Sequence, residues 1–240
     1  MRTPVVAATA ALLLLTTACG GEDSPTPEPT SSTPTLSSLD DEQVQRYLPG
    51  EGQVPGQWSV VDGDPDAGGE LTTLPKACSD MLLSGRVAED LRPERTGAAR
   101  RTYLPGEEDG AIGVKMTSYR TAVPDDVFTA MGDALDQCGE YQQVTKNGAV
   151  TYLAEGATGP SYGDRTFRVR MREKDSDKVV ERVIFSVGSV IVQVIEMHEG
   201  GDSVRTGGLE TTARAAESNL RDGPREAQAP QESPDVSPGF

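Results

Sequence analysis

The spacing of apolar positions changes several times along the chain, and each change predicts an element. In "SSLDDEQVQRYLPG", Leu39, Val44 and Leu48 form an apolar stripe, Ser38 suits the N-cap, Asp41 the first turn, and Pro49-Gly50 ends the helix. "QWSVV" at 57–61 reads as a short strand, and "CSDMLLSG" as one or two helical turns beginning after Cys78. "AARRTYL" and "AIGVKMTSYR" read as two strands joined across the turn "PGEEDG". "PDDVFTAMGDALDQC" is the clearest helix: Pro124 and two aspartates suit its start, and Val127, Met131, Ala134, Leu135 and Cys138 share one face.

Strand periodicity dominates the chain after Cys138. "EYQQV" and "VTYLA" flank Lys146-Asn147-Gly148, where Asn-Gly predicts a hairpin. "DRTFRVRMRE" alternates, with Phe167, Val169 and Met171 on one face and Arg168, Arg170 and Arg172 on the other. The arginine face suits either an anionic ligand or a solvated surface paired with Glu173 and Glu181. "VVERVIFSVGSVIVQVIEM" is apolar enough to suggest a membrane span, but Glu181, Arg182 and Glu196 carry charge, β-branched residues dominate, and Gly188-Ser189 sits centrally. It predicts two strands and a tight turn. "GLETTARAAESNL" closes the series as a helix with Leu209, Ala213, Ala216 and Leu220 inward. Strands joined by short turns imply an α+β fold: an antiparallel sheet of hairpin-connected strands with helices packed mainly on one face.

The ends of the chain have a different chemistry. The apolar run at 5–15 is 11 residues long, about half of the roughly 20 a membrane-spanning helix needs. With Arg2 before it and Ala18 after it, the run has the layout of a secretion signal. A cut immediately before Cys19 resembles the bacterial lipoprotein pattern, although Thr16 stands where such signals carry Leu or Val. That resemblance implies acylation of Cys19 and attachment to the outer face of the cytoplasmic membrane. Prolines 25, 27, 29 and 34 among Ser and Thr then predict an extended tether. The organisation expected is a signal peptide at 1–18, a lipidated cysteine and tether at 19–38, one domain at 39–221, and a disordered Pro-rich tail at 222–240.

Charge and cysteines narrow the chemistry. The net charge is −16, and removal of Arg2 with the signal makes it −17. Such a balance argues against nucleic acid and anionic polymers as partners. The basic stretch "RPERTGAARR" is diluted by Glu89, Asp90 and Glu94. With Cys19 assigned to lipid, Cys78 and Cys138 are the remaining pair, and outside the membrane two such thiols form a disulfide. A zinc site is the alternative, but the single histidine, His198, and the lack of a CxxC spacing argue against it. No cofactor motif occurs: the glycine-rich stretches lack phosphate-loop spacing. No GxSxG elbow is present, and His198 reads as an exposed histidine at a strand end.

Several short stretches also suggest relatives. "LPGEGQVPGQWSVV" after a short helix, Cys78 before "SDML", "TSYR" ending a strand and "MGDALDQC" ending a helix are the first matches. With "GDRTFRVRMR" and the Val-rich hairpin, the layout resembles actinobacterial lipoproteins related to the extracellular sensor domain of PknH-type kinases, over about 39–220. The resemblance implies a cleft that receives a ligand. Trp58, Tyr119 and Phe167 are the candidate ligand-contacting aromatics; core packing on the sheet is their other role. The function expected is non-enzymatic binding of a small or amphipathic ligand or an envelope partner. The alternative is an envelope-polymer hydrolase using carboxylates that no motif identifies.

Overall fold

The computed structural model describes residues 38–54, 56, 58–66, 71–105, 110–199 and 208–224; Cys19, the signal, the tether and the tail past 224 lie outside them. The first apolar stripe folds as α1 (Asp41–Tyr47). Its cap is Asp40, not Ser38. The Asp40 carboxylate accepts from Gln43 N at 2.8 Å, and the Gln43 side chain accepts from Asp40 N at 2.9 Å. Leu39, just before the cap, is tied to the sheet: its N–H is donated to Ser118 Oγ and its side chain is buried. Gly97 lets this corner close: a Cβ there would lie 2.4 Å from the Asp40 carbonyl carbon. Beside it, Ala98 N donates to Asp41 Oδ1 at 2.7 Å.

The strands are β1 (Trp58–Gly63), β2 (Thr72–Leu74), β3 (Arg95–Pro105), β4 (Ala111–Tyr119), β5 (Glu140–Thr145), β6 (Gly148–Gly156), β7 (Arg165–Glu173), β8 (Val179–Val187) and β9 (Val190–His198). The remaining helices are α2 (Arg86–Leu91), α3 (Asp125–Gln137) and α4 (Gly208–Asp222). The strands form one sheet in the order β1-β3-β4-β9-β8-β7-β6-β5-β2. Every neighbouring pair is antiparallel, as the hairpin reading predicted. The fold class is α+β.

The helices, however, divide between the two faces. Val183, Phe185, Val190, Val192 and Val194 pack with α1 and α4 in one core cluster. Ile184 and Ile191, which alternate with them, join Phe167, Val169 and Met171 under α2 and α3 in a second. The expectation of helices mainly on one face therefore holds only for α1 and α4. The reason is visible in β8 and β9, whose continuous apolar runs are buried on both sides, as strands covered twice must be.

Parity also corrects His198. It pairs with Val179 in full strand register, shares the inward face of Val190 and Val194, and is buried rather than exposed. The arginine face of β7 is largely neutralised by protein carboxylates. Arg168 pairs with Glu210 of α4 at 2.8 Å and lies over the Tyr162 ring, and Arg170 reaches Glu181 at 3.5 Å. In the basic stretch, Arg95 meets Asp66 at 2.6 Å and Arg101 meets Asp62 at 2.5 Å.

Candidate ligand-binding cleft

Two short helical walls enclose a cleft on the second face of the sheet. One wall is α2 with the 3-10 turn Arg92–Glu94 that continues it. Six residues make a marginal helix alone; this one is held by tertiary contacts. Asp80 Oδ1 accepts from Val87 N at 3.0 Å at the start of the helix. Gly85 allows that approach, since a Cβ would fall 2.5 Å from Asp80 Oδ1. The turn before α2 is pinned to the sheet by Arg182, whose guanidinium donates to the Leu82 carbonyl at 2.8 Å.

The other wall is α3. Val127, Met131 and Ala134 point into the core. Asp126, Ala130 and Asp133 form the adjacent stripe at i, i+4 and i+7 and line the cleft. The floor is the end of β4 and the 120–124 linker. Three backbone bonds fix it: Tyr119 N to Ser189 O, Val123 N to Gly188 O, and Arg120 N to Glu94 O, between 2.8 and 3.0 Å. Gly188, at φ 57°, makes the β8–β9 turn tight enough to present those carbonyls.

The cleft has a volume of about 510 Å³, in the range of small-molecule sites. Its apolar surface comes from Val87, Leu91, Tyr119, Val123 and Val127. Its rim carries Asp90, Glu94, Asp126, Asp133 and Arg86. Burial pushes the Tyr119 phenol up to about 12, so it stays neutral at physiological pH. In the apolar cluster that α2 and α3 cover, the sulfurs of Cys78 and Cys138 stand at disulfide distance, 2.07 Å, both 1 % exposed. The bridge ties the end of α3 to the segment leading into α2, so both walls share one covalent base.

The three aromatics singled out from the sequence occupy different places. Tyr119 lines the cleft. Phe167 belongs to the same apolar cluster but lies in the core beneath the lining. Trp58 starts β1 opposite Pro105, at the far end of β3 from Arg95 and its partner Tyr119. Ten residues of strand separate the two ends, about 33 Å. Sequence reasoning missed Val87 and Leu91, because no local pattern marks α2. It also missed Asp126 and Asp133, whose helical spacing beside the core stripe was the available signal.

A different carboxylate grouping lies on the opposite face. Glu196 faces Glu181 across β8–β9, and Arg170 faces Glu181 across β7–β8 in the same row. Glu196 is 8 % exposed and accepts from Leu209 N, at the start of α4, at 3.1 Å. Burial, joined by the carboxylates of Glu181 and Glu210, pushes it up to about 7 against that hydrogen bond. Among the described residues no group of three metal-ligating side chains converges, and no helix is long and apolar enough to cross a membrane.

No family model matches the chain, and no curated protein matches it. Among solved structures, an uncharacterised Mycobacterium smegmatis protein (an Rv0999 ortholog) has 15 % identity over 67 % of this chain and 86 % of its own, with a TM-score of 0.36. The extracellular domain of PknH from Mycobacterium tuberculosis has 14 % identity over 78 % of this chain and 98 % of its own, with a TM-score of 0.60. The layout read from "TSYR", "MGDALDQC" and the Val-rich hairpin thus has a counterpart in three dimensions: this chain has the fold of the PknH extracellular domain.

Proposed function

We propose that this chain is a non-catalytic, sensor-like binding domain, anchored outside the cytoplasmic membrane through acylated Cys19, with the α2–α3 cleft as its ligand site. The observation that carries the reading is the cleft itself: about 510 Å³, lined by Val87, Leu91, Tyr119, Val123 and Val127 under a polar rim. The shared fold with an extracellular domain supports the compartment. The tether after Cys19 would hold the domain near its anchor at high effective concentration, which suits capture of envelope components. Against the hydrolase alternative, the buried carboxyl Glu196, whose affinity for a proton is raised, packs with Ile112 and α4, on the other face of the sheet from the cleft.

Ala130→Trp tests the site, because a large ring at that lining position fills the cleft from an α3 position outside the core stripe. Native mass spectrometry of protein taken from its own membrane should show a co-purified small molecule that this variant lacks, with circular dichroism unchanged. Turnover of an envelope polymer, lost when one cleft carboxylate is changed to its amide, would replace binding with hydrolysis. The anchor has its own test: Cys19→Ala should release the protein or leave an unprocessed precursor. Unchanged size and unchanged membrane retention would end the lipoprotein reading.

A further inference from the structure

We infer that the α2–α3 cleft takes a small cationic amphiphile, an apolar body carrying an amine. The inference rests on the cleft being the binding site and adds the chemical class of its ligand. Its first ground is the charge of the lining: among the described residues Asp90, Glu94, Asp126 and Asp133 stand against Arg86, with Arg120 beside Glu94.

The second ground is how the protein treats its other carboxylates. Asp62, Asp66, Asp125, Glu140 and Glu210 are each met by an arginine or lysine at 3.1 Å or less. Among the described residues Glu94 is met by Arg120 at 3.9 Å. Among the described residues no cation stands within ion-pair distance of Asp90, Asp126 or Asp133. Asp125 and Asp126 show the contrast most directly. The first pairs with Arg165 at 2.5 Å; its neighbour lines the cleft with no such cation among the described residues. Carboxylates around a concavity with low-dielectric walls add their fields inside it.

The third ground is position. Val87, Leu91, Tyr119 and Val127, all buried, supply the apolar lining at the base of the walls and floor, whereas Asp90, Asp126 and Asp133 are exposed at the rim. A ligand seated on that floor and held at that rim has an apolar body and a positive head. Anionic amphiphiles are disfavoured by the same rim.

The test uses three probes of equal length and different charge: octylamine, octanol and octanoate. They are titrated into full-length Cys19→Ala protein, which carries no lipid of its own. Single exposed ion pairs are weak, so the expected preference comes from several carboxylates together. Octylamine should bind roughly tenfold more tightly than octanol, with octanoate weaker still. That preference should shrink in high salt. An Asp126→Asn, Asp133→Asn double variant should bring octylamine down to the level of octanol binding to the same variant. Ala130→Trp should abolish all three.

Octanol or octanoate binding as tightly as octylamine, yet blocked by Ala130→Trp, would overturn the cationic ligand and leave the cleft standing. Octylamine binding that ignores Ala130→Trp would overturn both. Failure of all three probes would also overturn the cationic amphiphile, and the co-purification experiment would then decide the cleft separately.

Discussion

Replacing Cys78 and Cys138 together with alanine is expected to lower the unfolding free energy by about 4 kcal/mol. The bridge spans a sequence separation of 60 residues, and closing a loop of that size removes conformations chiefly from the unfolded chain. A small domain has about 5–15 kcal/mol in total, so this is a large share. Both sulfurs sit inside the apolar cluster with Met81, Met131 and Tyr141, so the variant also loses packing there. Urea unfolding of the oxidised protein, the reduced protein and the double variant measures the effect. Coincident midpoints for all three would refute it. The loss should reach the cleft as well, since the bridge anchors the end of α3 and the approach to α2. Cleft binding by the double variant should therefore weaken before the protein unfolds.

The parts of this fold that were legible in the sequence are those where local pattern and tertiary burial agree. Phe167, Val169 and Met171 alternate with arginines because one side of β7 meets α3 and the other meets solvent and α4. The "VGSV" turn lies between two β-branched runs and folds as the β8–β9 turn. Helix α3 has both its start signals and its stripe in plain view. What stayed hidden is held by distant contacts. Helix α2 has six residues and is positioned by Asp80 and by the turn that Arg182 pins, from 100 positions away. Strand β2 is three residues long and exists by pairing with β5.

The candidate site divides in the same way. Tyr119 was readable as a sheet aromatic, but its neighbours in the cleft come from α2 and from the α3 stripe beside the core stripe. No single-segment pattern joins those pieces. Trp58 shows the opposite failure: an isolated tryptophan attracts attention by type, and the register places it at the other end of β3 from Tyr119. His198 misled through its flanking charges. Glu199 is exposed, but strand parity turns both Glu196 and His198 inward.

That inward row makes stability depend on pH in a direction opposite to ordinary acid denaturation. Glu196 faces Ile112 of β4, Glu181 of β8, and Leu209 N and Glu210 of α4; Arg170 of β7 stands behind Glu181. Burial, with Glu181 and Glu210 nearby, raises its folded-state value to about 7 from an ordinary 4.5. Between those limits the folded protein holds a proton that the unfolded chain releases. The contribution is therefore complete below about pH 4.5 and disappears as pH rises to about 7. At 1.36 kcal/mol per pH unit, that interval is worth about 3 kcal/mol. Asp62 and Asp66 act in the other direction, held below the usual carboxylate range by hydrogen bonds from Arg101 and Arg95. Their stabilisation is lost only in stronger acid, so stability should peak on the acid side of neutrality, where both contributions are present. Glu196→Gln keeps an acceptor for Leu209 N and offers an amide to Glu181. Urea midpoints measured from pH 5 to 8 should decline for the native sequence and stay nearly flat for this variant, which should be the more stable of the two at pH 8. Parallel profiles for the two proteins would show that the buried carboxyl does not hold its proton.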